Sequence, residues 1–339
     1  MRYVEISPGE VILRQGAPLP LSPGHARVRV AACGVCGSDL HLVQGMVLPR
    51  GAAYPVRPGH EVAGTVIELS PDVEGLALGE RVVLHPLDVC GDCVACRQGR
   101  EERCRRGRVL GLQAAGGMAD EVVWPARRLV PVGEVPFDLA AVLADAVATA
   151  HHALRLADPP PGGRLCVIGA GGVGSHVVQL ARVLRPDLRV GAVVRSPTSA
   201  RRLEAMGATV AVGLEGAAAR LKDEVGRFDA VVDFSGTASA PAEGLAMLEA
   251  GGRLVLGSIV DEPIRLETTI TGIVTRELEV VGCYISTLED LRRVVDLARS
   301  GRLDLTASVS CRLPLERVEE AVRLLQRRPP GLVRVVLEP

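Results

Sequence analysis

Aromatic side chains are scarce: one Trp, three Tyr and three Phe make up 2% of the 339 residues. That argues against a substrate pocket walled by aromatic rings. Lysine is scarcer still, with Lys222 alone, so arginine carries nearly all the positive charge. Charge of one sign is not in excess either. The formal net charge is −1 and no basic stripe or block of like charge stands out, which makes nucleic acid and anionic membrane poor partners. No apolar run approaches the roughly 20 residues of a membrane span. Met1-Arg2-Tyr3-Val4-Glu5 also lacks the apolar run and small-residue cleavage site of a signal peptide. The expectation is a cytoplasmic protein whose nine cysteines stay reduced and available for metal.

What is there is a chain 47% hydrophobic, large enough to bury a core and split into two domains. The first third reads as short strands separated by Gly and Pro, at His25–Val30, Glu61–Leu69, Arg81–Leu84 and Asp120–Trp124, which suggests a β-barrel-like domain. A helical period covers Phe137–Ala157 and breaks at Asp158-Pro-Pro-Pro-Gly-Gly. Strands and helices then alternate. Strands are expected at Arg164–Ile168, Arg189–Val194, Ala230–Asp233 and Arg253–Leu256, and helices at Val173–Leu184, Ser199–Met206 and Ala240–Leu248. This βα alternation implies a parallel, doubly wound sheet. Leu278–Cys283, helical patterns at Leu288–Ala298 and Leu315–Leu325, and a last strand at Val333–Leu337 complete the chain.

Cys90, Cys93, Cys96 and Cys104 are spaced C-x2-C-x2-C-x7-C, which brings four thiolates to one point. Disulfides or an iron–sulfur centre are other readings. Two tight C-x2-C steps and a distant fourth ligand suit a closed, structural zinc knuckle better. Such a site leaves no coordination position for chemistry.

Gly169-Ala170-Gly171-Gly172-Val173-Gly174 follows an expected strand and opens a helix, the setting that makes G-x-G-x-x-G a dinucleotide fingerprint. Gly169 allows the tight turn, Gly171 lets the backbone approach the pyrophosphate, and Gly174 permits close helix–strand packing. The helix N-terminus offers free N–H groups and positive dipole to the phosphates. The next strand ends in Val194-Arg195 with no carboxylate to hold a ribose 2′-OH. A guanidinium can chelate a 2′-phosphate, so NADP is expected in preference to NAD; alternatively Arg195 stacks on adenine and both bind.

Cys36-Gly-Ser38-Asp39-Leu-His41 and Gly59-His60-Glu61-Val-Ala-Gly64 lie in the β-rich part, and a thiolate with an imidazole is a pair zinc prefers. The ordered series CGSDLH, GHEVAG, the four-cysteine lobe and GAGGVG resembles the zinc-dependent medium-chain alcohol dehydrogenase family, in its polyol or sorbitol dehydrogenase-like branch. The resemblance covers essentially the whole chain, including Arg276-Glu277-Leu and Gly331-Leu-Val-Arg334-Val-Val.

The resemblance implies an α/β chain with a GroES-like, β-rich catalytic domain at 1–146 and 288–339, its zinc lobe near 88–106. A Rossmann domain, the doubly wound parallel sheet, falls at 147–287. It implies two Zn²⁺ per chain. The second would be catalytic, held by Cys36, His60 and Asp145, with Glu61 as the alternate ligand. Asp145 departs from the family's commoner Cys or Glu, yet it gives zinc a formally neutral shell with one position open. By the same resemblance Ser38 accepts the hydroxyl proton and passes it towards His41, and Arg334 reaches the cofactor phosphates. Asp39 is expected to orient His60 by accepting its second ring N–H. His85, His151 and His152 read as structural, and Cys33, Cys166, Cys283 and Cys311 as buried and inert.

The expected activity is hydride transfer between NAD(P) and a secondary alcohol of a polyol, sugar or cyclitol. The polar preference rests on the few aromatics and on Arg276-Glu277, which resembles the polyol branch. The alternatives are an aldehyde or ketone reductase for apolar substrates, and a catalytically silent zinc- or NADPH-binding member of the family. Family members are homodimers or homotetramers, and the small-molecule alcohol or ketone is the only other partner implied.

Overall fold

Valine-rich segments that bury one face or both build the sheets of this protein. The computed structural model describes residues 1–339, which divide into two compact units: Met1–Ala148 with Ile285–Pro339, and Thr149–Tyr284.

In the first unit the long strand His25–Val35 organises a seven-stranded sheet. It runs antiparallel to Glu61–Leu69, from Ala26 opposite Leu69 to Gly34 opposite Glu61. Its far end takes Val335–Glu338 as a second neighbour, with Val335 opposite Val35. This register matters for the site. It brings the residues just beyond three strand ends, Cys36, His60 and Arg334, to one edge of the sheet. Val28, Val62, Val66, Trp124, Met118 and Leu337 are among the buried side chains of the core beneath.

The helical stretch expected over Phe137–Ala157 is not uniform. An α-helical turn at Phe137–Val142 gives way to a π-helical turn at Leu143–Val147 before the α-helix Ala148–Ala157. A π turn admits one extra residue and recurs at functional sites. No sequence pattern separates it from an ordinary helix.

The second unit is a six-stranded sheet, wholly parallel. Its order is Thr209–Val212, Arg189–Val194, Arg164–Ile168, Phe228–Asp233, Leu248–Leu256 and Glu279–Gly282. Numbered along the chain this is 3-2-1-4-5-6, the dinucleotide-binding topology whose order reverses beside the first strand. Two of its elements, the strand Thr209–Val212 and the helix Ala217–Glu224, gave too short or too alanine-rich a signal to be read from the sequence. The same holds for the N-terminal hairpin Arg2–Ser7 and Glu10–Gln15, turned by Gly9 at φ +79. Leu248–Leu256 starts five residues before the expected Arg253, because a register shift opposite Phe228–Ala230 absorbs the glycines. No helix is long and apolar enough to cross a membrane.

Cys33, Cys166 and Cys283 are buried as expected, but Cys311 is only half-buried, since it opens a strand at the sheet edge.

Candidate active site and metal centres

The chain leaves the strand His25–Val35 through Cys36, the N-cap of the short helix Gly37–Val43. Asp39, at the third helical position, accepts the Cys36 backbone N–H at 2.8 Å and closes a capping box. Asp39 thus fixes the Cys36 backbone. No Asp39–His60 hydrogen bond forms, which corrects the expectation; the buried carboxyl acts on His60 through charge alone.

Across the sheet, His60 enters from Gly59, and Glu61 lies opposite Gly34. A side chain at position 34 would overlap the Glu61 carboxylate, so glycine is needed there. From the π-helical turn, Asp145 places Oδ2 3.5 Å from His60 Nε2 and 3.7 Å from Cys36 Sγ. Around a tetrahedral zinc with bonds of about 2.0–2.1 Å to N and O and about 2.3 Å to S, those edges come to about 3.4 and about 3.6 Å. The donor set fits zinc. Burial works against a charge on His60, yet hydrogen bonds to Asp145 and Cys36 and the field of Cys36 and Asp39 raise its pKa well above the ordinary value. The cluster asks for a cation at its centre.

Ser38 adds a second sign of an incoming ligand. Its Oγ is buried without any hydrogen-bond partner, two residues from Cys36. A hydroxyl withdrawn from water in this way costs free energy unless something polar arrives to meet it. His41 is half-buried one turn further along the same helix.

Glu61 is wholly buried and within 4.8 Å of the other three donors. Burial raises its pKa to about 7, with Arg334 opposing. Arg334 is no surface residue: it is 5% exposed, with Nη2 3.3 Å from Glu61 Oε1 and Nη1 donating to Val35 O at 3.3 Å. The guanidinium thus neutralises the carboxylate that competes for the metal position. Nothing in the sequence linked these two residues, 273 positions apart.

The four cysteines of the lobe approach one another at 3.4 Å (Cys104–Cys90), 3.5 Å (Cys93–Cys96), 3.9 Å (Cys90–Cys96) and 4.0 Å (Cys93–Cys104). Sulfurs on a tetrahedral zinc stand about 3.8 Å apart, whereas a disulfide would hold them at about 2.0 Å. The disulfide reading is ruled out, since all nine cysteines are free.

In the second unit Gly169 adopts φ +78 against the backbone of Ser235, where a side chain would collide. A Cβ on Gly174 would meet Gly169 O at 2.6 Å, while one on Gly171 would meet only Gly169 O, at 4.0 Å. The helix Gly174–Leu184 opens directly from this loop, with Gly172 and Val173 in the turn before it. Val194 is buried at the end of the neighbouring strand; Arg195 beyond it is exposed and in no ion pair. Ser196 caps the helix Pro197–Ala205, accepting the Ser199 N–H at 3.3 Å.

His85, His151 and His152 are buried and belong to neither cluster of donors. Arg276 donates to Leu248 O rather than pairing with Glu277.

Residues 22–134 match the alcohol dehydrogenase GroES-like domain, and residues 172–300 the zinc-binding dehydrogenase family. An alcohol dehydrogenase of Geobacillus stearothermophilus is 30% identical over 94% of this chain and 93% of its own. The chain belongs to the zinc-binding alcohol dehydrogenase family. D-arabinitol dehydrogenase 1 of Uromyces fabae is 28% identical over 94% of this chain and 91% of its own. A zinc-binding dehydrogenase of Sinorhizobium meliloti 1021, solved with NADP bound, superposes with a TM-score of 0.88 at 29% identity, covering 100% of this chain and 99% of the other. Membership makes the protein an NAD(P)-dependent oxidoreductase of alcohols.

Proposed function

We propose that this dehydrogenase oxidises a secondary hydroxyl of a polyol, sugar or cyclitol, preferring NADP, with one zinc for catalysis and one for structure. The reading rests above all on the Cys36–His60–Asp145 edges, which match a three-ligand zinc site with a fourth position left for a substrate oxygen. When bound, zinc supplies a Lewis acid for the alcohol oxygen and the dinucleotide a hydride acceptor.

The chain's own residues do the rest. Ser38, with its unpartnered Oγ, takes the hydroxyl proton, and His41 on the same helix leads it towards water. Arg334 holds Glu61 off the metal position, and Asp39 fixes the backbone of Cys36. That pairing with Glu61 supports a place for Arg334 behind the metal; a contact with cofactor phosphates would use its unpartnered Nε. In the dinucleotide unit, Gly169, Gly171 and Gly174 shape the loop for the pyrophosphate, and the free Arg195 is the group available to a 2′-phosphate.

The preference for a polar substrate draws support from the arabinitol-oxidising relative rather than from Arg276, which is occupied by a backbone carbonyl. We place the protein in the cytoplasm as a homo-oligomer. The exposed edge strand Glu279–Gly282, beside the exposed Ile270, Val274 and Tyr284, is the surface available for self-association. A panel of polyols, inositols and simple alcohols, each assayed with NADP and NAD, tests the proposal. Turnover of polyols with higher kcat/KM for NADP is expected; activity confined to apolar aldehydes, or a strong preference for NAD, refutes it.

A further inference from the structure

Outside the catalytic cluster, the first unit buries a chain of charged and polar side chains that the proposed chemistry does not use. Arg128, 3% exposed, donates Nη1 to Glu101 Oε2 at 2.8 Å and Nη2 to Glu101 Oε1 at 2.9 Å, a two-pronged pair. Its Nη2 also reaches His85 Nδ1 at 2.7 Å, and His85 Nε2 donates to Ser286 O at 3.1 Å. Glu101 Oε1 accepts the backbone N–H of Leu288, the first residue of the helix Leu288–Arg299.

Glu101 lies in the loop between Cys96 and Cys104, so its position depends on the four-cysteine lobe being folded around its metal. Glu101 is the one carboxylate paired with Arg128. His85 cannot replace it. Burial and the neighbouring guanidinium hold the imidazole neutral, its pKa pushed down to about 4. Loss of order in the lobe would strand the Arg128 charge in the interior, an arrangement buried ion pairs resist strongly. It would also free the Leu288 N–H just four residues after Tyr284, where the second unit ends and the chain returns to the first.

We propose that the Glu101–Arg128 pair is a coupling device: it makes the order of the segment Ile285–Leu288 depend on metal in the cysteine lobe, more than 180 residues away in sequence. The lobe then acts as a clamp on the returning chain, in addition to being a locally folded knuckle. The coupling rests on the lobe's metal fit and not on the assignment of substrate or cofactor.

Hydrogen exchange of the full-length protein, read on the peptide spanning Ile285–Leu291, tests it. Cys93→Ser removes metal from the lobe, with metal analysis confirming one zinc lost. Exchange at Ile285–Leu288 should then rise at least tenfold over wild type. The double variant Glu101→Gln/Arg128→Met removes both charges without stranding either. In that background exchange there should already be fast and should change less than twofold when Cys93→Ser is added. Unchanged exchange at Ile285–Leu288 on metal loss in the otherwise native chain overturns the proposal. So does an equal response in the double-variant background. Should Cys93→Ser fail to fold, chelator titration of the native and double-variant proteins supplies the same comparison.

Discussion

Asp145 is the residue on which the catalytic reading turns, and replacing it with Ala is the sharpest perturbation. In the proposed site its Oδ2 is one of three donor atoms, 3.5 Å from His60 Nε2 and 3.7 Å from Cys36 Sγ, and with Cys36 it would supply the two negative charges that balance Zn²⁺. At about 2 Å and an effective dielectric of about 20, one such charge attracts the ion by roughly 17 kcal/mol before desolvation and replacement by water take most of it back. The remainder should far exceed the 10–100-fold that disturbing a ligand's outer partner typically costs. We expect Asp145→Ala to lose more than about 100-fold in affinity at this site. After dialysis against a chelator it should retain one zinc per chain instead of two, with unchanged circular dichroism and kcat/KM reduced below detection. Asp145→Cys should recover zinc, since thiolate also ligates it and keeps the charge. If Asp145→Ala keeps two zinc ions and activity within tenfold of wild type, Asp145 is not a ligand and Glu61 takes its place.

Ser38→Ala should lower kcat by about 10²–10⁴-fold while both zinc ions stay bound, checked by steady-state kinetics with metal analysis. Arg195→Asp should cut kcat/KM for NADP by roughly 10–100-fold and leave NAD nearly unaffected, because charge-assisted hydrogen bonds to phosphate contribute about 1.5–3 kcal/mol; equal losses with both cofactors would refute the assignment. His85 is neutral in the native protein with its pKa at about 4, below the unfolded value near 6.5. The unfolded chain therefore binds the extra proton first as pH falls. Stability from this residue is full above about pH 6.5 and fades towards pH 4, by about 3 kcal/mol in all. His85→Gln should flatten that acid limb in denaturant melts, and a slope identical to wild type would show that His85 does not titrate as described.

The sequence by itself determined a good deal. Cysteine spacing announced the convergence of four sulfurs, because a C-x2-C step sets two thiols close together whatever surrounds them. The glycine loop announced the dinucleotide unit, because a tight turn and close helix packing need residues without side chains. The βα alternation then implied the parallel sheet, although Thr209–Val212 and Ala217–Glu224 were too weakly patterned to find. These are local constraints, written in consecutive residues.

The tertiary structure decided what depends on long-range register. Pairing Gly34 with Glu61 and Val35 with Val335 is what sets Arg334 against Glu61 behind Cys36 and His60. The π-helical turn that carries Asp145 reads as plain helix in the sequence, since its other four residues, Leu143, Ala144, Ala146 and Val147, are all apolar and buried and leave no period in which a shift would show. Asp39 bonds to the Cys36 amide, a capping contact that depends on where the short helix starts at the end of the strand. The buried Glu101–Arg128–His85 chain was invisible for the same reason. Its members lie on a loop, a turn and a strand end, and only folding brings their charges close enough, out of water, to depend on one another.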